Sequence, residues 1–133
     1  TDHKFHGFHL AQLALAHEPD VESDGFLDSS FNYPLYEHIV QVCEARGVKV
    51  LLVLFPCWHT YVEGLNMEQL QDTRRLMQKL AADHANCMAL DMMSDSRFDS
   101  SDFHDAIHLN AAGAGMLSAI LDGIINRNVY GID

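Results

Sequence analysis

Asp105 and His108 lie three positions apart in the stretch Asp102-Phe103-His104-Asp105-Ala106-Ile107-His108-Leu109-Asn110, and this carboxylate–imidazole spacing is the part of the chain best suited to chemistry. A histidine acting as general base must be held in one tautomer and one orientation. A carboxylate that accepts its Nδ1–H supplies both constraints. A turn at the mouth of a helix can bring the two side chains together, and Asn110 is a good N-cap for a helix that follows. His108 would then direct Nε2 towards a nucleophile on another loop, since an Asp–His pair without one has nothing to activate. Taken alone, D-x-x-H also describes a loop carboxylate and a histidine that satisfy backbone groups at a helix start.

Other residues invite chemistry less strongly. His104 and Asp105, with His108 as a further ligand, could form a metal pair, but the pattern offers no other ligands on helices, so no metal is expected. His3, His6 and His9 recur every third residue, yet Gly7 and the interposed aromatics break any helical face, and solvated terminal histidines are expected. The loop Pro56-Cys57-Trp58-His59-Thr60-Tyr61 leaves the end of an apolar run, where Trp58 and Tyr61 could wall a substrate or simply pack beneath the loop. Cys57 lacks the electropositive surround of a reactive thiol. With Cys43 and Cys87 it makes three cysteines without C-x-x-C spacing, which reads as reduced, partly buried thiols. Ser96, in Met93-Ser94-Asp95-Ser96, has no preceding glycine, and Ser29 and Ser30 after Asp28 suit capping or a turn.

The elements that must position these groups alternate in type. Leu35, Ile39, Val42 and Cys43 fall at helical spacing, with Pro34 suited to a first turn and Gly47 to a C-terminal cap. The run from Val48 to Phe55, halted by Pro56, predicts a strand buried on both faces, which belongs in a parallel sheet. Asn66 and Gln69 form a potential capping box for a helix that buries Leu70, Met77, Leu80, Ala81 and His84 and ends near Ala85. A second strand over Cys87 to Met92 completes a βαβ unit. Leu117, Ile120, Leu121, Ile124 and Ile125 stripe a last helix that stops around Asn126. A short helix over Leu10 to Ala16 is plausible in the otherwise unreadable stretch from Thr1 to Asn32. The architecture is α/β, and in such sheets the loops beyond the carboxyl ends of the strands build the ligand crevice.

A chain of 133 residues, 48% hydrophobic, can bury a single core, so one domain is expected. A net charge of −11 with only 8 Lys and Arg argues against nucleic acid as a partner. No apolar run reaches the roughly eighteen residues of a membrane span. No basic and apolar leader opens the sequence, and its first residue, Thr1, points to processing or an excised domain.

Asp105-x-x-His108-Leu109-Asn110-x-x-Gly113-Ala114 before a closing helix resembles the last block of the SGNH (GDSL-type) hydrolases. With Phe98, Asp102 and the Phe55-Pro56-x-x-x-x-Tyr61 turn, the stretch from Tyr33 to Ile125 is similar to bacterial SGNH-like proteins related to the DltD group. The resemblance implies a three-layer αβα, flavodoxin-like fold with a parallel sheet, represented by its C-terminal portion in residues 33–133 after a poorly defined segment 1–32. It implies covalent serine catalysis on acylated carbohydrate or lipid-linked esters without metal or cofactor. His108 would be base then acid, and Asp105 would orient it. The family's Gly-Asp-Ser block has no counterpart here. The chain is therefore expected to be a C-terminal piece of a longer esterase or acyl transferase, or else a non-catalytic module that binds a partner, or a second copy of itself, through an open sheet edge.

Overall fold

The computed structural model describes residues 29–131. The Leu10–Ala16 helix and the His3, His6 and His9 series lie outside the described residues. Helix α1 spans Ser29–Ala45, strand β1 Val50–Leu54, the short helix α2 His59–Glu63, helix α3 Met67–Asp83, strand β2 Cys87–Asp91 and helix α4 Ala111–Ile125. A 3-10 turn over Ser100–Asp102 precedes α4, and a π turn over Asn126–Tyr130 follows it.

The two strands run parallel in register from Val50↔Cys87 to Leu54↔Asp91, with α3 as the crossover, so the fold is α/β. Side chains alternate along a strand, and each face finds its own apolar partners. Val50 and Leu52 pack against a buried cluster of Val40, Leu80 and Cys87. Val53 and Leu90 pack against Met92, Phe98, Phe103 and Leu117, joined by Ile120 and Leu121 of α4. Partners on both faces explain why the run is apolar without alternation. The β1 residues are nevertheless half-buried rather than buried as expected, because a sheet of two strands leaves each strand one edge without a strand neighbour among the described residues.

Helix ends follow their capping residues. Gly47 takes φ +68°, and Val48 and Gly47 donate their N–H groups to the carbonyls of Cys43 and Glu44, the paired bonds that close a helix on a left-handed glycine. The Asn66 carboxamide oxygen accepts from Glu68 and Gln69 at 3.0 and 3.2 Å and starts α3.

The first helix corrects the expected stripe. α1 begins at Ser29, so Pro34 stands inside it rather than in its first turn. Leu35 and Ile39 each keep 54% of their surface exposed, and Val40 is the residue that is buried. The periodicity from Leu35 was real, but the inward side of α1 is set by α3, whose C-terminal His84 sits between Glu37 and Glu44 of α1. The buried face is therefore rotated towards Tyr33 and Val40.

Candidate active site

The segment after β2 folds back on itself and presents its tip beyond the strand. Asp99 starts the 3-10 turn with a reciprocal cap: its side chain accepts from Ser101 N–H, and Asp102 accepts from Asp99 N–H at 3.0 Å. Phe103 and Leu109 then form an isolated antiparallel bridge, and Asn110 N–H donates to the Asp102 carbonyl at 2.8 Å. The Asn110 side chain accepts from Ala112 and Gly113 at the start of α4 and donates to the Ser101 carbonyl at 2.6 Å. One asparagine thus joins the loop to the helix.

Gly113 is demanded by this closure. A Cβ built there would collide with the Asp102 carbonyl oxygen and come within 3.0 Å of both Asp102 Cβ and Leu109 Cδ2. The Leu-Asn-x-x-Gly spacing therefore has a geometric meaning: asparagine caps the helix, and glycine lets the helix approach the strand-like base of the loop.

At the tip, His104 N–H donates to the His108 carbonyl at 2.8 Å. Asp105 Oδ1 accepts from Ile107 N–H at 2.9 Å and His108 N–H at 2.8 Å, an Asx-type turn. His108 Nδ1 lies 2.9 Å from Asp105 Oδ1 and 2.8 Å from Oδ2. The two residues singled out in the sequence are brought together, as the spacing predicted. Burial by itself pushes the Asp105 carboxyl up, but the Ile107 N–H, the His108 ring and the His108 N–H together hold it below the ordinary carboxylate value. The carboxylate is thus kept ionised against the imidazole, the His108 side chain keeps 66% of its surface exposed, and Asp105 keeps 34%. Chemically, an imidazole held at Nδ1 by a carboxylate can take a proton at Nε2 and return it.

The β1 exit loop packs alongside. Trp58 N–H donates to the Ala106 carbonyl at 2.8 Å, and Cys57 N–H donates to the Met93 carbonyl at 3.0 Å beyond β2. The Trp58 ring meets Phe103 edge-on, with centroids 5.7 Å apart. Trp58 and Tyr61 are half-buried. Burial, with Cys57 beside it, raises the Tyr61 hydroxyl, and burial raises the Cys57 thiol. Cys43, Cys57 and Cys87 are free thiols. Ser96 is exposed in the turn after Asp95, and Ser29 and Ser30 open α1. Among the described residues no three His, Cys, Asp or Glu side chains gather into a metal-holding group, and no helix is long and apolar enough to cross a membrane.

Two features escaped the sequence reading. Helix α2, taken there as loop, pairs His59 Nδ1 with Glu63 Oε1 at 3.1 Å, and their i, i+4 spacing was the available signal. Ala106, between the two site residues, is fully buried. Nothing in its type or spacing marked it.

Fold and site together define an α/β protein that holds an imidazole against a carboxylate on a loop between its last strand and last helix. The sequence model of the DltD protein family matches residues 5–113, most of the chain, and the chain belongs to that family. The match includes β1, β2 and the whole Asp105–His108 tip and ends at Gly113. Neither the curated proteins nor the solved structures yield a match.

Proposed function

We propose that the chain carries the acid–base part of an SGNH-type esterase or acyl transferase acting on acylated carbohydrate or lipid-linked substrates. The observation that supports it most is the His108 ring, bound through Nδ1 to both oxygens of Asp105 while most of the side chain stays exposed. A serine hydroxyl would lose its proton to His108 Nε2 as its oxygen bonds to the acyl carbonyl carbon. His108 would then return that proton to the departing alkoxide, leaving an acyl-serine. Water or a second hydroxyl repeats the exchange and frees the serine. Asp105 stays ionised throughout and stabilises the imidazolium. These steps call on no metal or cofactor.

The serine would come from a Gly-Asp-Ser block, which the present sequence does not contain. In this reading β1 and β2 are the C-terminal portion of a larger three-layer, flavodoxin-like sheet, and further strands on the β1 side bring the serine to the same rim. Trp58 and Tyr61, at the N-cap of α2 and within it, would flank the bound ester.

The test is turnover of a short-chain p-nitrophenyl ester by the full-length natural protein beside His108→Ala. Loss of turnover in the variant supports the reading. Equal turnover by both proteins overturns it, and so does an absence of turnover in either, which leaves the competing role, a non-catalytic module that binds a partner through the open sheet edge.

A further inference from the structure

The Asp105–His108 tip is weakly held by its own charges. Both side chains are substantially exposed, and exposed ion pairs gain little from mutual attraction. The Phe103–Leu109 bridge and the Asn110 bonds fix the base of the loop, but the tip lies beyond them. Something else must keep it against the body of the protein. At its centre, Ala106 has no exposed surface, and its carbonyl accepts the Trp58 N–H at 2.8 Å. The Trp58 ring packs edge-on against Phe103, the last residue before the tip, and joins the cluster of Met92, Phe98 and Phe103. Buried Pro56 and the Cys57–Met93 backbone bond anchor Trp58 in turn to the exits of both strands.

We propose that Trp58 is a positioning residue, whose indole and backbone brace the loop tip and so hold His108 against Asp105. This rests on the catalytic reading of the pair and assigns Trp58 a task beyond walling a substrate. The sensitivity is expected to be high, because a displacement of about 1 Å in a reacting group costs roughly 10²-fold in rate. Leucine at this position keeps apolar volume but has no ring edge for Phe103, whereas phenylalanine keeps one.

The experiment compares wild type, Trp58→Leu and Trp58→Phe by imidazole ¹H–¹⁵N spectroscopy, with ester turnover measured in parallel on the full-length natural protein. In wild type, His108 should be the Nδ1–H tautomer with a downfield Nδ1–H resonance. Trp58→Leu should lose that resonance and mix tautomers, with kcat down roughly 10²-fold and KM nearly unchanged. Trp58→Phe should largely restore both. A raised KM with unchanged kcat and an unchanged His108 signal would make Trp58 a wall only and overturn the proposal. So would a wild-type His108 without the Nδ1–H signature.

If Trp58→Leu does not fold, warming the wild type decides. The Trp58 amide protection and the His108 ring resonance must vanish together below global unfolding, and independent loss overturns the brace. The ring signal needs no turnover. A Trp58-dependent signal in a protein without esterase activity would therefore support the brace while defeating the proposed reaction.

Discussion

Two of the protein's imidazole–carboxylate pairings, at His84 and at His108, serve opposite ends. His84 bridges Glu37 at 3.3 Å and Glu44 at 3.8 Å with only 11% of its side chain exposed, joining the end of α3 to α1 across 47 residues of sequence in the first case. His108 meets Asp105 within a single turn and keeps two-thirds of its side chain exposed. The first pairing uses both ring nitrogens for cohesion. The second uses Nδ1 for orientation and leaves most of the side chain open to solvent. What distinguishes an imidazole equipped for proton transfer from one equipped for packing is therefore the side left open, not the presence of a carboxylate.

The largest effect expected from this contrast follows Asp105→Asn. Asparagine can still accept the Ile107 and His108 backbone N–H groups, so the turn survives, but its amide cannot favour the right tautomer or stabilise an imidazolium. Turnover in the full-length protein should fall roughly 10³–10⁴-fold while stability changes by less than about 1 kcal/mol. A variant that loses fold and activity together would erase the distinction between the two regions.

Two smaller effects sharpen it through thermal unfolding. Gly113→Ala forces a methyl against the Asp102 carbonyl at the root of the Asp105–His108 loop. It should cost about 1–3 kcal/mol and disturb the His108 resonance as well as the melting temperature. His84→Ala removes the α1–α3 tie and should cost about 1–2 kcal/mol while leaving that resonance where it was. A shift of the His108 signal in His84→Ala would show that the two regions are coupled rather than separate.

Legibility in the sequence differed between the same two regions. The rim pair was readable because its geometry is local: Asp105, Ile107 and His108 close the turn among themselves, and Asn110 caps the next helix. Both strands were readable because apolar neighbours cover both faces. The rotation of α1 was not, since Leu35 and Ile39 have the spacing of a buried stripe and only the distant His84 and Leu80 decide which side turns inward. Buried Ala106 was likewise hidden, because its partner Trp58 lies far along the chain, whereas helix α2 carried only the His59–Glu63 spacing as a signal.

The smallest effect is on acid stability, and its sign follows from the Asp105 carboxyl, which the fold holds below its ordinary value. A carboxyl with a depressed folded pKa binds fewer protons folded than unfolded. Its stabilisation is therefore complete above the unfolded value, about 3.9, and is lost as pH falls through the folded value. Because Asp105 is partly exposed, solvent screening keeps the effect modest. Asp95, which Arg97 holds at about 2, and Asp99, lowered by its bonds to Ser101, also lose stabilisation on acidification, and they contribute equally to wild type and to any Asp105 variant. The difference in melting temperature between wild type and Asp105→Asn isolates the rim carboxylate. It should be constant above about pH 4 and shrink as the pH drops further. A difference that persists undiminished to pH 2 would mean that the N–H groups of the tip and the His108 ring do not hold Asp105 as an anion, and the rim would lose the feature that sets it apart from the helix tie.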